Sequence, residues 1–353
     1  MHILSLLSLS VLAAAAPQRN RGGGGGGGGG GRQRATAQQQ AAQVPQGISQ
    51  ATDGGMILDD TVNVNGLPIR FKVAAPASQF MAASGVPGAA ATSPNGTMGV
   101  NVLLHGDGGQ SFFDFPNQNV QANTMGVALL APDPNLFWGG GQGLQRTDGV
   151  AHAQAVNDFM QNMLPQVVSF NSSAVVFTGV SGGSLMMSGF FIPAQMQNFP
   201  NSAVELNCGG MPPQVAFVNA AQVMPQTTIH FQSTQSELQL LQDSIPQAVT
   251  AYEQLAADQG LSAAQINQLQ TVDNTPAGGH CEFDGQGFVS GVQTMLSSYA
   301  NVMQGGDGTV QGLGAPSNGQ VRTGVVGNEN LQFVGGRKRA EESMTVMDWA
   351  RSL

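Results

Sequence analysis

A chain of 353 residues has room for one domain with a core of ordinary size and for terminal segments beside it. Only 9% of its residues are charged, and the formal net charge is -9. Of its twelve Lys and Arg, eight (19, 21, 32, 34, 337, 338, 339 and 351) lie close to the two ends and only Arg70, Lys72, Arg146 and Arg322 lie between them, which argues against a nucleic-acid surface and favours a neutral or apolar small-molecule or polymeric partner.

Residues 1–16, MHILSLLSLSVLAAAA, read as a secretory signal, a short apolar run ending in small residues. No later stretch is apolar for about 18 residues, so no membrane span is expected and the protein is read as secreted, extracellular or wall-associated. Residues 17–52 hold a glycine run from Gly22 and the segment RQRATAQQQAAQVPQG. This leader buries too little apolar area to offset its ordering entropy and is expected to be disordered.

The domain is expected over 53–304. TVNVNGLPIRFKVAAP, near its start, reads as an antiparallel hairpin turning at Asn65-Gly66. Apolar runs of strand length follow at 101–104, 127–131, 174–178, 204–207, 227–232 and 268–272. Stretches with apolar spacing near 3.6 lie at 151–164, 184–191, 244–257 and 287–299. The alternation implies an α/β fold, a mostly parallel central sheet with helices on both faces and an antiparallel N-terminal hairpin. Residues 305–353 form a glycine-rich tail in which VRTGVVGNENLQFVG can add an edge strand before a basic, disordered end. Asn95 (NGT) and Asn171 (NSS) fit the N-glycosylation pattern. Two cysteines in an exported chain, Cys208 and Cys281, suggest one disulfide, for which chain entropy gives roughly 4 kcal/mol.

Three glycine-rich stretches carry the chemistry. In AVVFTGVSGGSL, residues Gly179 to Gly183 fit G-x-S-x-G, a tight strand-to-helix turn that presents the Ser181 hydroxyl. Gly182 then offers a backbone N–H at the positive end of the next helix. In NVLLHGDGGQSFFDF an apolar strand ends in a loop suited to a second oxyanion donor, with Asp107 and Gly108 both candidates. That loop lacks the lysine and spacing of a phosphate cradle. A serine nucleophile needs a base, and there are five histidines. His2 lies in the signal, His105 in the oxyanion loop, His152 in a helix ahead of the serine, and His230 inside an apolar strand as an expected core histidine. His280, in NTPAGGHCEFDG, follows the serine on a loop after the last candidate strand and is the expected base. The acid is expected after TTIHFQ: Glu237 comes first, with Asp243 and Asp273 as alternatives. Phe112, Phe113, Phe115, Phe137 and Trp138 are candidates for an acyl or aryl pocket or for ordinary core. This set requires no metal and no organic cofactor.

HGDGGQSFFDF, GVSGGSL and GGHCEFDG together resemble the α/β-hydrolase superfamily. Within it they look most like exported fungal proteins related to polyhydroxyalkanoate depolymerases and to feruloyl or acetyl-xylan esterases, over roughly residues 55–300. The resemblance implies an α/β-hydrolase fold and a serine esterase in which Ser181, His280 and the oxyanion positions carry over. The acid does not carry over, because HFQSTQSE has no HG-x-x-D motif. Tannase-type feruloyl esterases have cysteines beside both serine and histidine, whereas here Val180 precedes the serine and only Cys281 fits. The resulting expectation is a secreted serine carboxylic-ester hydrolase acting on a polyester, feruloyl or acetyl ester. Its competitors are a non-catalytic surface or wall-binding protein on the same fold and, more weakly, a peptidase.

Overall fold

The computed structural model describes residues 35–51, 53–114, 123–285 and 322–334. Helix α1 (Ala37–Ala41) leads to strand β1 (Gly47–Gln50), and β2 (Met56–Val64) folds back on β3 (Leu67–Ala75). Between β2 and β3, Asn65 and Gly66 have φ of 54° and 84°. A two-residue turn that matches strand twist needs this left-handed pair, which Asn and Gly adopt at least cost.

Strand and helix then alternate: β4 (Gly99–Leu104), α2 (Gln110–Asp114), β5 (Thr124–Leu130), α3 (Gly149–Asp158), α4 (Leu164–Val167), β6 (Val175–Val180), α5 (Gly182–Met186), α6 (Ile192–Gln195) and β7 (Ala203–Asn207). The series continues with α7 (Ala220–Val223), β8 (Thr228–Gln232), α8 (Gln239–Asp258), α9 (Ala263–Leu269), β9 (Gln270–Asp273) and β10 (Arg322–Gly324). Wide π turns at Phe159–Met163 and Met187–Phe191 carry α3 into α4 and α5 into α6. A proline follows each, Pro165 and Pro193, and the wider turn accommodates its ring and missing N–H.

Among the described residues ten strands form one sheet, ordered β1-β2-β3-β5-β4-β6-β7-β8-β9-β10. The run from β5 to β9 is parallel, while β1 to β3 at one edge and β10 at the other are antiparallel. Strands β4, β6 and β7 are buried along their whole length, as strands covered on both faces must be. Alternate residues of β6 serve the two faces. Val175 and Phe177 join the core of Phe191 and Phe231, whereas Val176 and Val180 join Leu103, Phe112 and Ala203. Phe177 meets Phe191 and Phe199 at 4.8 and 5.0 Å between ring centroids, and each such buried ring contributes roughly 2–3 kcal/mol. From β4 the chain crosses to β5 on one side and then to β6 on the other. In open α/β sheets, ligands bind at such a reversal, here beyond the carboxyl ends of β4 and β6.

One buried row is polar. Thr178, Glu205, His230 and Thr271 lie side by side across β6 to β9. His230 shares hydrogen bonds with Thr271 Oγ1 at 2.8 Å and Gln232 Oε1 at 3.1 Å, as a satisfied core histidine should. Burial pushes the Glu205 carboxyl up to about 7, against a smaller downward pull from the Asn207 side chain.

Regular structure falls within the stretch expected to be disordered to residue 52, since α1 and β1 both lie there. The reason is tertiary. The Arg70 guanidinium is paired with Asp59 and donates to the carbonyls of Ala41, Val44 and Pro45, while β1 pairs with β2 from Gly47 to Gln50. These partners supply the stability that the leader's own apolar content lacks. At the other end β10 pairs with β9, and Val325 and Leu331 enter the core. Helix α9, which apolar spacing does not reveal, takes Gln268 and Leu269 from the expected strand; Ser262 and Gln265 cap it reciprocally. The helix expected over 287–299 lies outside the described residues, as does the segment 1–16.

Candidate active site

At the end of β6 the chain turns sharply into α5 through Ser181, whose φ of 48° and ψ of -112° lie outside the regions a serine ordinarily occupies. Such a conformation costs about 1–3 kcal/mol and persists only where its surroundings enforce it. Ser181 N–H donates to Asn207 O at 2.8 Å and Ser181 O accepts from Leu185 N–H at 3.0 Å. The flanking glycines are required by space. A Cβ on Gly183 would overlap the Leu104 carbonyl, and one on Gly179 would sit 2.7 Å from Ser184 Cα.

The Ser181 hydroxyl lies 2.9 Å from His280 Nε2, and His280 Nδ1 is hydrogen-bonded to Glu237 Oε1. All three side chains are buried. A carboxylate oxygen accepts, so Nδ1 carries the ring proton and Nε2 is left to accept from the serine hydroxyl. Glu237 Oε1 also accepts from Leu238 N–H at 2.8 Å, which fixes the carboxylate's direction. Of the carboxylates considered from sequence, Glu237 alone is brought to the ring. Asp243 sits exposed on α8, and Asp273 Oδ1 accepts from the backbone and hydroxyl of Thr275.

The loop bearing His280 is held on several sides. Thr234 Oγ1 donates to Gly279 O at 2.8 Å, Ser236 N–H to Gly278 O at 3.1 Å, and Gly279 N–H to Glu282 Oε2 at 2.8 Å. Cys281 is bonded to Cys208, the one disulfide that two cysteines suggest. Their sulfurs lie with the His280 ring nitrogen within 4.8 Å, but sulfurs joined to each other offer no thiolate to a metal.

On the β4 side the loop from His105 to Gly109 reaches the serine, with a Cβ on Gly106 falling 3.5 Å from Ser181 Cβ. His105 is a structural pin. Its Nε2 accepts from Ala131 N–H at 2.9 Å, so Nδ1 donates to Gly106 O at 2.6 Å, and burial pushes the ring down to about 4. His152 likewise accepts from Gly139 N–H at 2.8 Å, and burial lowers it too. Gly108 N–H donates to Leu136 O at 3.2 Å and is therefore spent, which corrects its candidacy as a donor. Asp107 N–H finds no acceptor among the described residues. The aromatic candidates divide: Phe112 lies under Arg70 and Lys72 at 5.7 and 4.9 Å, Trp138 is enclosed beside His105, Phe137 is buried, and Phe115 lies outside the described residues. Phe112 and Trp138 therefore belong to the core.

Sequence reasoning missed Arg146. Its Nη1 and Nη2 donate to Asp107 Oδ1 and Oδ2 at 2.8 Å each. The available signal was its isolation, as one of three Lys or Arg residues between positions 53 and 304.

Strand order, crossover and elbow together make this an α/β-hydrolase fold. No protein-family model and no curated protein matches the chain. Solved structures similar to it include a cold-adapted esterase from an Arctic intertidal metagenomic library, at 12% identity over 72% of this chain and 97% of that one, with a TM-score of 0.42. A fungal esterase from Rhizomucor miehei is 13% identical over 77% of this chain and 90% of that one, with a TM-score of 0.45. The acylaminoacyl peptidase of Pyrococcus horikoshii is 10% identical over 70% of this chain and 42% of that one, with a TM-score of 0.43.

Proposed function

We propose that the protein is a secreted serine carboxylic-ester hydrolase that works through an acyl-enzyme on Ser181. The observation that carries this reading is the continuous hydrogen-bonded series from Glu237 through His280 to a serine held in strained backbone at a strand-to-helix elbow. In the first half-reaction His280 Nε2 takes the hydroxyl proton as Ser181 Oγ bonds to the ester carbonyl carbon, whose oxygen becomes an oxyanion. The N–H groups of Gly182 and Asp107 stabilise that charge, each such donor being worth roughly 10²–10³ in rate. Collapse breaks the carbon–oxygen bond to the alcohol, which leaves with the proton from His280. Water then gives its proton to His280 and attacks the acyl carbon; collapse releases the acid and returns the proton to Ser181. Throughout, Glu237 keeps the imidazole in its productive tautomer and stabilises the imidazolium.

The scarcity of charge across the chain supports a neutral or apolar ester, with a polyester, feruloyl or acetyl ester as the class. The non-catalytic alternative is motivated by the unclear acid and by the leader's expected flexibility; the hydrogen bond between Glu237 and the His280 ring supports the enzymatic reading over it. The test is labelling by a fluorophosphonate together with hydrolysis of p-nitrophenyl esters. Both should be abolished by Ser181→Ala, and folded native protein that neither labels nor hydrolyses any ester or peptide would refute the reading.

A further inference from the structure

We propose that the buried Arg146–Asp107 pair positions the second oxyanion donor, and that Arg146 cancels a carboxylate charge that would otherwise oppose the oxyanion. This deepens the esterase reading and rests on it. Both side chains are wholly enclosed, and the guanidinium engages the carboxylate through two parallel hydrogen bonds of 2.8 Å. Arg146 Nη1 also donates to Trp138 O at 3.2 Å. Arg146 stands on the glycine-rich loop that follows β5, which is closed on itself by Asp148 N–H to Gly139 O at 2.7 Å and Gly149 N–H to Arg146 O at 3.1 Å. The pair therefore ties the loop after β5 to the loop after β4. The His105 ring ties that same β4 loop to Ala131 at the end of β5. With Gly108 N–H committed to Leu136 O, these ties hold the peptide of Asp107, whose N–H has no acceptor among the described residues.

Both charged groups also reach Gly182. A Cβ there would overlap Asp107 Oδ1 and come within 3.1 Å of Arg146 Nη1, so carboxylate and guanidinium both pack against the residue that offers the first donor. A lone carboxylate in this enclosed position would raise the energy of a developing oxyanion, because little water is present to screen it. A buried ion pair is by itself weak grounds for stability. Its location against Gly182 is accounted for by holding a donor while presenting no net charge.

The test compares wild type, Arg146→Lys, Arg146→Met and the double variant Asp107→Asn/Arg146→Met, each checked for folding by thermal melting. The readouts are kcat and KM on a p-nitrophenyl ester. Arg146→Met should lower kcat by about 10²-fold with KM changed only a few-fold, because the donor acts on the transition state. The double variant should regain at least about tenfold of that loss, since the opposing charge is gone. Arg146→Lys keeps the charge but not the fork and should lose about tenfold in kcat. Wild-type kcat in folded Arg146→Met, or a folded double variant no faster than Arg146→Met, overturns the proposal. Should Arg146→Met fail to fold, wild-type kcat in Arg146→Lys overturns it. An inactive wild type that no fluorophosphonate labels would instead sink the esterase reading itself, so the two failures are distinguishable.

Discussion

Cys208, the first residue after β7, is bonded to Cys281, the neighbour of His280. The link joins the loop bearing the imidazole to the strand beside the one that carries Ser181. Replacing both cysteines by alanine should cost about 4 kcal/mol in urea denaturation, the value expected for a closed loop of this size. It should also lower kcat more than it raises KM, because the imidazole loses alignment rather than the substrate losing contacts. A folded double variant with wild-type kcat would show that the loop's hydrogen bonds, such as Thr234 Oγ1 to Gly279 O, suffice to hold it.

Glu237 and Asp243 are only six positions apart, yet one is buried against the ring and the other faces solvent. Glu237→Gln removes the carboxylate that fixes the Nδ1 proton and should lower kcat on the order of 10³–10⁴-fold. Asp243→Asn should leave kcat within about twofold, as an exposed substitution away from the ring. Steady-state kinetics on the two variants decides between them, and the opposite ranking would transfer the role.

Two buried groups pull stability in opposite directions with pH. Burial holds His105 near 4 against an ordinary 6.5, so the unfolded chain binds a proton that the folded chain refuses between those values. Its contribution is intact above 6.5 and is lost as pH falls toward 4, by about 3 kcal/mol at most. Glu205 is raised from 4.5 to about 7, so its contribution is full below 4.5 and is lost as pH rises through 7. Glu205→Gln removes that second slope. Denaturation midpoints should therefore show the variant gaining on wild type as pH is raised from about 5 to 8. Parallel curves for the two proteins would refute the assignment.

The two N-glycosylation sequons converge. Asn95 bridges to Phe170, and Asn171 N–H donates to Met98 O at 2.7 Å, so both asparagines lie near the amino ends of β4 and β6. Ser181 lies beyond the carboxyl end of β6, at the opposite pole. When the protein is expressed through a eukaryotic secretory route, glycosidase treatment should lower its mass, and Asn95→Gln/Asn171→Gln should abolish that shift without changing kcat. A loss of activity in the folded double variant would contradict the separation of glycan and site.

Local sequence determined the elements whose causes are local. The Asn65-Gly66 turn, the parallel strands from β4 to β8, the elbow at Ser181 and the histidine after the last parallel strand follow from side-chain period, turn chemistry and glycine placement, which need no knowledge of distant partners. The glycines around Ser181 were legible because only a missing Cβ lets β6 and α5 approach the Leu104 carbonyl. Tertiary structure alone decided which of three carboxylates meets the imidazole, since that depends on how a loop after β8 folds across one after β9. It alone committed Gly108 to Leu136, recruited the leader through Arg70, and brought Arg146 across 39 positions to Asp107. Those outcomes are set by hydrogen-bond partners far apart in the chain, and neither propensity nor periodicity carries information about who those partners are.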